Sequence, residues 1–309
     1  FAKSDHTKRT DHLLPGTISI KTINHVGIPI WDRRVALKFY RDILGLQVIP
    51  SMVDSPNIVW TKTLDGTMVH LIEPSDGENL GDPHIAFEVD DFDSSVEALR
   101  ASGYPNISDT GERHDGQKCI FIDDNDGNRL EFATASNLRS STRVADALGY
   151  TSESGTNVNY DSPSKIKLLT INHVGLAVSD RAGCMGMYRD LLNINVIPHQ
   201  IDGNTLSWTE MPDGSMVHVI DPPQAVGPRG DGRQHVAFEV TDLEATAEAL
   251  VEANVEIVEG IGTRHDGQQF LFIYDPDGNR IEIATRGDHS NTPRTADDNG
   301  YTSENGVLL

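Results

Sequence analysis

Hydrophobic and polar residues alternate along several short stretches of the chain, and stretches of helical spacing lie between them. Residues 22–30 place branched apolar side chains on one face only, which predicts a half-buried strand. Residues 33–44 follow a helical period and end at Gly45, a residue typical of helix C-termini. Three further strands are predicted after this helix, near 47–53, 57–63 and 67–73.

The same order of elements then begins again. A strand at 83–89 precedes a helix at 93–102, and a strand near 106–110 and a hairpin at 118–134 follow. The hairpin turn contains Gly127, which suits the positive φ of a tight turn. The pattern β-α-β-β-β thus occurs twice in succession, which predicts an α+β fold.

This whole pattern is itself repeated, because the chain is a tandem duplication. The offset between the copies is 148 residues up to His70 and His218, and 151 residues from His84 and His235 onward. The second copy therefore has a three-residue insertion, which we place in the Pro- and Gly-rich stretch 222–232. The repeated motifs are INHVG (23–27, 171–175), HIAFEV and HVAFEV (84–89, 235–240), RHDGQ (113–117, 264–268), DGNRLEFAT and DGNRIEIAT (126–134, 277–285), and GYTSESG and GYTSENG (149–155, 300–306).

Each copy ends in a tail with the pattern R-x-A-D-x-x-G-Y-T-S-E-x-G. We interpret Arg143 and Arg294 of these tails as bracing the domain or a subunit contact, with contact to an anionic substrate as the alternative. The predicted segments are an N-terminal arm at 1–19, a first domain at 20–155, a linker at 156–167 and a second domain at 168–309.

Composition narrows the range of partners and compartments. The 309 residues carry a net charge of −22, which argues against nucleic acid and membrane surfaces as partners, since both attract basic proteins. The acidity indicates either adaptation to high salt or an ordinary acidic protein. Cys119 and Cys184 occupy non-equivalent positions in the two copies, so we predict no structural disulfide and a cytoplasmic protein.

Each half carries five residues of metal-binding or acid–base type at equivalent positions. The first and second histidines are 45 residues apart in both halves, and the third histidine and the glutamate are 47 residues apart. In three strands the polar residue lies opposite the apolar face, so these residues converge on one side of a curved sheet. Two imidazoles and a carboxylate on one face suit Fe(II), Mn(II), Co(II), Ni(II) or Zn(II). The residues are His25, His70, His84, His114 and Glu131, and His173, His218, His235, His265 and Glu282.

On these residues the chain resembles the vicinal oxygen chelate superfamily, which includes glyoxalase I, methylmalonyl-CoA epimerase, fosfomycin-resistance proteins and extradiol ring-cleavage dioxygenases. The resemblance covers residues 20–134 and 168–285. It implies two tandem domains, each built from two βαβββ modules that form a curved mixed sheet around a metal site. The matching motifs are INHVG, FYRDILGL (39–46), PHIAFEV (83–89) and NDGNRLEFA (125–133), and in the second half YRDLLNI (188–194), QHVAFEV (234–240) and PDGNRIEIA (276–284).

The resemblance implies metal ligation by His25, His84 and Glu131, and by His173, His235 and Glu282. The position of His70 separates the subfamilies, because glyoxalase-like and epimerase-like members usually carry Glu or Gln there as a fourth ligand. His70 lies 14 residues before His84, the spacing of the acid–base histidine in extradiol dioxygenases. We therefore interpret His70 and His218 as acid–base residues, with a fourth metal ligand as the alternative.

The remaining candidate residues follow partly from the resemblance and partly from the repeat. His114 and His265 resemble the second active-site histidine of extradiol enzymes. Two features depart from the extradiol pattern. Phe121 and Phe272 stand ten residues before the glutamates, at a position where those enzymes usually carry Tyr. Both halves also have a complete ligand set, whereas two-domain extradiol enzymes usually retain metal in one domain. The candidate pocket residues are Trp60, Trp208, Phe121, Phe272, Arg113 and Arg264; alternatively, the tryptophans belong to the core and the arginines form salt bridges.

The leading hypothesis is an Fe(II)-dependent dioxygenase that acts on a small catechol-like or other bidentate oxygen substrate together with O₂, with Mn(II) as another metal. The first alternative is a metal-dependent lyase or isomerase that acts through an enediolate. The second is a metabolite- or drug-binding resistance protein, which the complete ligand sets disfavour. The sequence leaves the substrate, the native metal and the formation of a homo-oligomer open.

Overall fold

The computed structural model describes residues 18–75, 83–138, 141–154, 163–221, 234–288, 292–304 and 307–308. Most of the predicted N-terminal arm, the predicted linker up to residue 162 and the predicted insertion at 222–232 lie outside these residues. Among the described residues, no helix is long and apolar enough to span a membrane.

The elements follow the predicted order in both halves. The first half contains β1 (Ile20–Pro29), α1 (Arg33–Leu37), β2 (Gln47–Ile49), β3 (Ile58–Lys62), β4 (Met68–Ile72), β5 (His84–Val89), α2 (Phe92–Ser102), β6 (Gly111–Glu112), β7 (Lys118–Asp123), β8 (Arg129–Ala133), β9 (Val144–Ala145) and β10 (Thr151–Ser152). The second half contains β11 (Ile171–Ala177), α3 (Arg181–Met185), β12 (Asn195–Ile197), β13 (Leu206–Glu210), β14 (Met216–Ile220), β15 (His235–Glu239), α4 (Leu243–Glu252), β16 (Ile257–Thr263), β17 (Gln269–Tyr274), β18 (Arg280–Ala284), β19 (Arg294–Ala296), β20 (Thr302–Glu304) and β21 (Val307–Leu308).

Each half forms one eight-stranded curled sheet, with the order β2-β3-β4-β1-β5-β8-β7-β6 in the first half. β1 pairs with β4 in parallel and with β5 antiparallel, and β5 pairs with β8 in parallel. The β1–β5 pair therefore joins two four-stranded modules, and β11 and β15 do the same in the second sheet. The α+β fold with two tandem sheets, predicted from the sequence, is confirmed.

Two strands of the first half differ from their predicted bounds for local reasons. The strand predicted near 47–53 ends at Ile49, because Pro50 has no N–H to donate to the ladder. The strand predicted near 106–110 does not form, since Asn106 has a φ of 57°, and the short β6 follows it instead.

The helix predicted at 33–44 begins as α1 and continues as a π-helix over Lys38–Ile43, and α3 continues in the same way over Gly186–Leu191. The π turn carries Tyr40 into the interior, where its hydroxyl donates to Asp275 of the other half at 2.7 Å. Tyr188 makes the equivalent contact with Asp124 at 3.0 Å. The halves thus pack through reciprocal contacts, in an approximately twofold arrangement.

The main hydrophobic core lies on the helix side of both sheets and is continuous between the halves. A smaller apolar cluster covers part of the opposite, polar side of each sheet. Its members are Ile49, Met52, Trp60 and Met68 in the first half, and Ile197, Leu206, Trp208, Met216 and Ile220 in the second.

The repeated tails fold back onto their own halves. The backbone N–H of Ser51 donates to Thr151 Oγ1 at 2.8 Å, and the buried Arg143 pairs with Asp54 at 3.1 Å. In the second half the N–H of His199 donates to Thr302 Oγ1 at 3.0 Å. These contacts favour the bracing interpretation of the tails.

Candidate metal centre

Three side chains from neighbouring strands meet on the polar side of each sheet. In the first half they are His25 on β1, His84 on β5 and Glu131 on β8. His25 Nε2 lies 3.1 Å from His84 Nε2 and 3.2 Å from Glu131 Oε2, and His84 Nε2 lies 3.7 Å from the same oxygen. The equivalent distances among His173, His235 and Glu282 are 3.0, 3.3 and 3.4 Å.

The spacing of these donor atoms fits one metal ion. Ligand atoms about 2.0–2.1 Å from an ion lie about 3.0 Å apart at a right angle and about 3.4 Å apart in a tetrahedral arrangement. The observed separations run from 3.0 to 3.7 Å. In each half the two imidazole nitrogens also lie close to one carboxylate oxygen, and such a set of two imidazoles and a carboxylate suits a divalent cation.

The first imidazole is oriented by a neighbour that the sequence analysis missed. His25 Nδ1 lies 2.9 Å from the acceptor oxygen Oδ1 of Asn24, so Nδ1 carries the proton and Nε2 presents its lone pair to the site. Gln117 Nε2 donates to the same oxygen at 3.3 Å. Asn172 and Gln268 repeat these contacts at 2.9 and 3.4 Å. The repeated motifs INHVG and RHDGQ contained this signal.

The local electrostatics favour the protonation states that bind a metal. Burial lowers the pKa of His25 well below its ordinary value, and Arg113 lowers it further. Burial also lowers the pKa of His173 to about 4. Burial alone would raise the pKa of Glu282, but Arg264 and His173 lower it well below its ordinary value. Near neutral pH these imidazoles are therefore neutral and the Glu282 carboxylate is ionised, as metal ligation requires.

Arg113 and Arg264, which we predicted as pocket residues, contact the candidate ligand carboxylates. Arg113 Nη2 lies 2.8 Å from Glu131 Oε1 and 3.0 Å from Oε2, and its Nη1 donates to Gln117. Arg264 lies 2.9 and 3.0 Å from the two oxygens of Glu282. These contacts are salt bridges, the alternative that the sequence left open for the two arginines. Each guanidinium fixes the plane of a carboxylate and balances its charge.

His70 lies in a stack of three rings. Its centroid is 4.0 Å from that of His25 and 4.1 Å from that of Trp60. Among the described residues the buried Nε2 atom of His70 has no hydrogen-bond partner, and burial lowers the pKa of this imidazole well below its ordinary value. His218 repeats the stack with His173 and Trp208 at 3.9 and 4.3 Å. Both tryptophans are fully buried.

The structure does not place His114 and His265 in this cluster. His114 Nε2 lies 2.8 Å from Asp54 Oδ1, and the side chain is 38% exposed. His265 lies 2.9 Å from Asp202 and is 41% exposed.

Phe121 and Phe272 form an apolar wall beside the candidate ligands. Phe121 pairs with Glu131 across β7 and β8, and its ring meets His84 edge-on at 5.8 Å. Phe272 meets His235 in the same way at 5.5 Å. These positions therefore supply apolar contact and no phenolic hydroxyl.

Comparison with known proteins links this arrangement to one superfamily. The model of the Glyoxalase/Bleomycin resistance protein/Dioxygenase superfamily matches residues 22–132 and 170–283. Lactoylglutathione lyase of Haemophilus influenzae is 31% identical over 124 residues, which is 36% of this chain and 90% of that protein.

Solved structures with a similar fold extend over both halves. A Mn(II)-bound glyoxalase from Novosphingobium aromaticivorans has a TM-score of 0.64 and 18% identity, covering 88% of this chain and 84% of that one. A variant of homoprotocatechuate 2,3-dioxygenase from B. fuscum has a TM-score of 0.64 and 17% identity, covering 91% of this chain and 75% of that one. At these identities the likeness describes the fold and not the reaction.

Proposed function

This chain belongs to the Glyoxalase/Bleomycin resistance protein/Dioxygenase superfamily, and from that premise we propose that it is a metal-dependent enzyme with one divalent ion in each half. The proposed ligands are His25, His84 and Glu131, and in the second half His173, His235 and Glu282. The proposed activity is that of an Fe(II)-dependent extradiol-type dioxygenase on a small catechol-like or other bidentate oxygen substrate.

The observation that carries the proposal is the triangle of donor atoms on neighbouring strands, with sides of 3.1, 3.2 and 3.7 Å in the first half. When bound there, a ferrous ion would offer open positions to two adjacent substrate oxygens and to O₂. The chain supplies the rest: Asn24 directs His25, Arg113 holds Glu131, and Phe121 shields the site from water. Such fixed donors lower the entropic barrier of the reaction.

His70 is proposed as the group that moves a proton. Its Nε2 atom is buried without a hydrogen-bond partner among the described residues, so this nitrogen is open to a hydrogen bond from a substrate hydroxyl. Burial lowers the pKa of the imidazole well below its ordinary value and so keeps the ring neutral before substrate binds. The ring lies face to face with His25 at an interplanar angle of 29°, whereas the rings of His25 and His84 are perpendicular.

A lyase or isomerase is the second candidate, and one observation favours it. The lactoylglutathione lyase of H. influenzae aligns with 36% of this chain at 31% identity. In that case the metal would stabilise an enediolate without O₂, and His70 and His218 would complete a set of four ligands. The ligand atoms of His25, His70 and His84 lie within 4.8 Å of one another, which permits this arrangement.

Oxygen consumption separates the two candidates. The protein is reconstituted with Fe(II) under anaerobic conditions and then tested for O₂ uptake with a panel of catechols and hydroquinones. The double variant Glu131→Gln with Glu282→Gln serves as the control that lacks both ligand carboxylates. We expect uptake by the unmodified protein only. Turnover of a hemithioacetal with Ni(II) or Zn(II), without O₂ uptake on the panel, would assign the lyase instead.

A further inference from the structure

A cleft with a volume of about 270 Å³ lies between the two halves. It is lined by equivalent residues from both sheets, including Gly27, His84 and Arg129 of the first half and Gly175, His235 and Arg280 of the second. One cavity therefore touches a candidate ligand of each proposed metal centre. Its volume is close to the lower limit for small-molecule sites, about 300 Å³.

The candidate ligands reach solvent at this cleft. The side chains of His25 and Glu131 are fully buried, whereas that of His84 is 9% exposed. Elsewhere on the polar side of the sheet, Met52 and Trp60 cover the site within the described residues. His84 and its counterpart His235 both line the cleft, so an ion held by either imidazole lies close to it.

The charge of the cleft is opposite to that of the protein. Among the described residues that line it, the two arginines are the charged ones, although the chain has a net charge of −22. Arg129 lies on β8 two residues before Glu131, so both side chains project from the same face, and its guanidinium lies 4.8 Å over the ring of Phe121. Arg280 lies 3.6 Å over Phe272.

Arg280 contacts a carboxylate as well as the ring of Phe272. Arg280 Nη2 lies 2.6 Å from Glu259 Oε1, and the Glu259 side chain is 55% exposed. An ion pair with so exposed a carboxylate is weak, so it leaves Arg280 able to exchange its partner for a ligand carboxylate. Guanidinium groups that are stacked on aromatic rings are already oriented for such a contact.

We infer that this cleft is the common entrance to both proposed metal centres and that it selects a small organic anion, whose carboxylate contacts Arg129 or Arg280. The inference rests on the proposed metal sites and adds the route and the charge of the substrate. An acidic protein repels anions in general, and the two arginines at the entrance oppose that repulsion locally.

Removal of metal by chelators tests the entrance. The variant Gln234→Cys places a thiol in the lining of the cleft. The Zn(II)-loaded variant is labelled with a benzyl methanethiosulfonate, which fills the cleft. After 1,10-phenanthroline is added, the zinc that remains bound is measured over time. We expect the label to slow the loss of both ions by about tenfold or more. Reductive removal of the label should restore the original rate of zinc loss. Glu97→Cys, exposed on α2, and the unmodified chain with its buried cysteines are labelled as controls.

The same assay tests the selection of anions. Pyridine-2,6-dicarboxylate is a flat dianion and phenanthroline is a flat neutral molecule. We expect Arg129→Gln with Arg280→Gln to slow extraction by the dianion by about tenfold, the effect of losing a charge-assisted hydrogen bond, and to leave extraction by phenanthroline within about twofold. Arg100→Gln, exposed on α2, is the control for net charge.

The outcomes separate the inference from the proposed function. A chain that binds no zinc refutes the proposed metal centres and the inference with them. The common entrance is overturned if zinc leaves at the same rate with and without the label, or if the label slows the loss of one ion only. The proposed metal centres are unaffected by either result. Equal slowing of both chelators by the arginine variant overturns the selection of anions.

Discussion

A single methyl group at Gly27 would test the proposed metal centre directly. A Cβ atom at this position would lie 2.6 Å from Cε1 and Nδ1 of His84 and 2.9 Å from Cδ1 of Ile72. Ordinary van der Waals contact begins at 3.4 Å, so the imidazole has to retreat by about 0.8 Å, the difference between the two distances. The φ of Gly27 is not in the left-handed region, so alanine strains the contact and not the backbone.

This displacement is large for a metal ligand, because metal–ligand distances in proteins are held within about 0.2 Å. We expect Gly27→Ala to weaken metal binding in the first half by about 10–100-fold, the usual cost of disturbing the groups that orient a ligand. The second half should keep its affinity, since its own glycine is unchanged.

Competition between the apo protein and a chelating indicator for Zn(II) measures this effect. We expect one unchanged and one weakened ion per chain. Gly175→Ala, whose Cβ would lie 2.4 Å from Cε1 of His235, should weaken the other ion instead. Gly186→Ala is the matched control, because no described residue comes within 4 Å of the Cβ it would add. Two unweakened ions in Gly27→Ala would refute the assignment of His84 as a ligand.

Three further predictions concern the neighbours of the centre and the contact between the halves. Replacing His70→Gln together with His218→Gln should retain about two ions per chain and lower kcat by about 10²–10⁴-fold, as measured by metal analysis and O₂ uptake; loss of metal in proportion to activity would make these residues ligands. Asn24→Ala should weaken one ion by about 10–100-fold in the same zinc titration, and unchanged affinity would contradict its orienting role. Tyr40→Phe should lower the free energy of unfolding by about 1.5–3 kcal/mol in urea denaturation, because Asp275 loses a donor; an unchanged midpoint would show that this contact adds nothing.

The period of two along β-strands explains why the donor set was predictable from the sequence. His25, His84 and Glu131 each lie opposite an apolar face, and the sheet order brings their strands side by side. The role of Asn24 was not predictable by the same rule, because adjacent strand residues should point to opposite faces. The pairing of β1 with β5 shifts register between Ile23 and His25, and this bulge lets Asn24 meet the neighbouring ring.

His114 was predicted as an active-site residue, but its side chain lies outside the cluster of candidate ligands. It lies in a turn, where no period predicts the direction of a side chain, and its assignment rested on its repetition in both halves and on likeness to extradiol enzymes. The turn directs Arg113 to Glu131 and sends His114 to Asp54. The π-helical ends of α1 and α3 were also unpredictable, because the contact of Tyr40 with Asp275 joins residues 235 positions apart.

The pairing of Arg113 with Glu131 connects the proposed metal centre to the charge of its substrate. The guanidinium balances the one carboxylate of the donor set, and His25 is neutral, so these protein groups leave the charge of a divalent ion uncompensated. A chelating anion provides the missing negative charge and a neutral ligand does not. The arginines of the cleft act in the same direction at longer range. Both features favour an anionic substrate, although the net charge of the protein, −22, is itself negative.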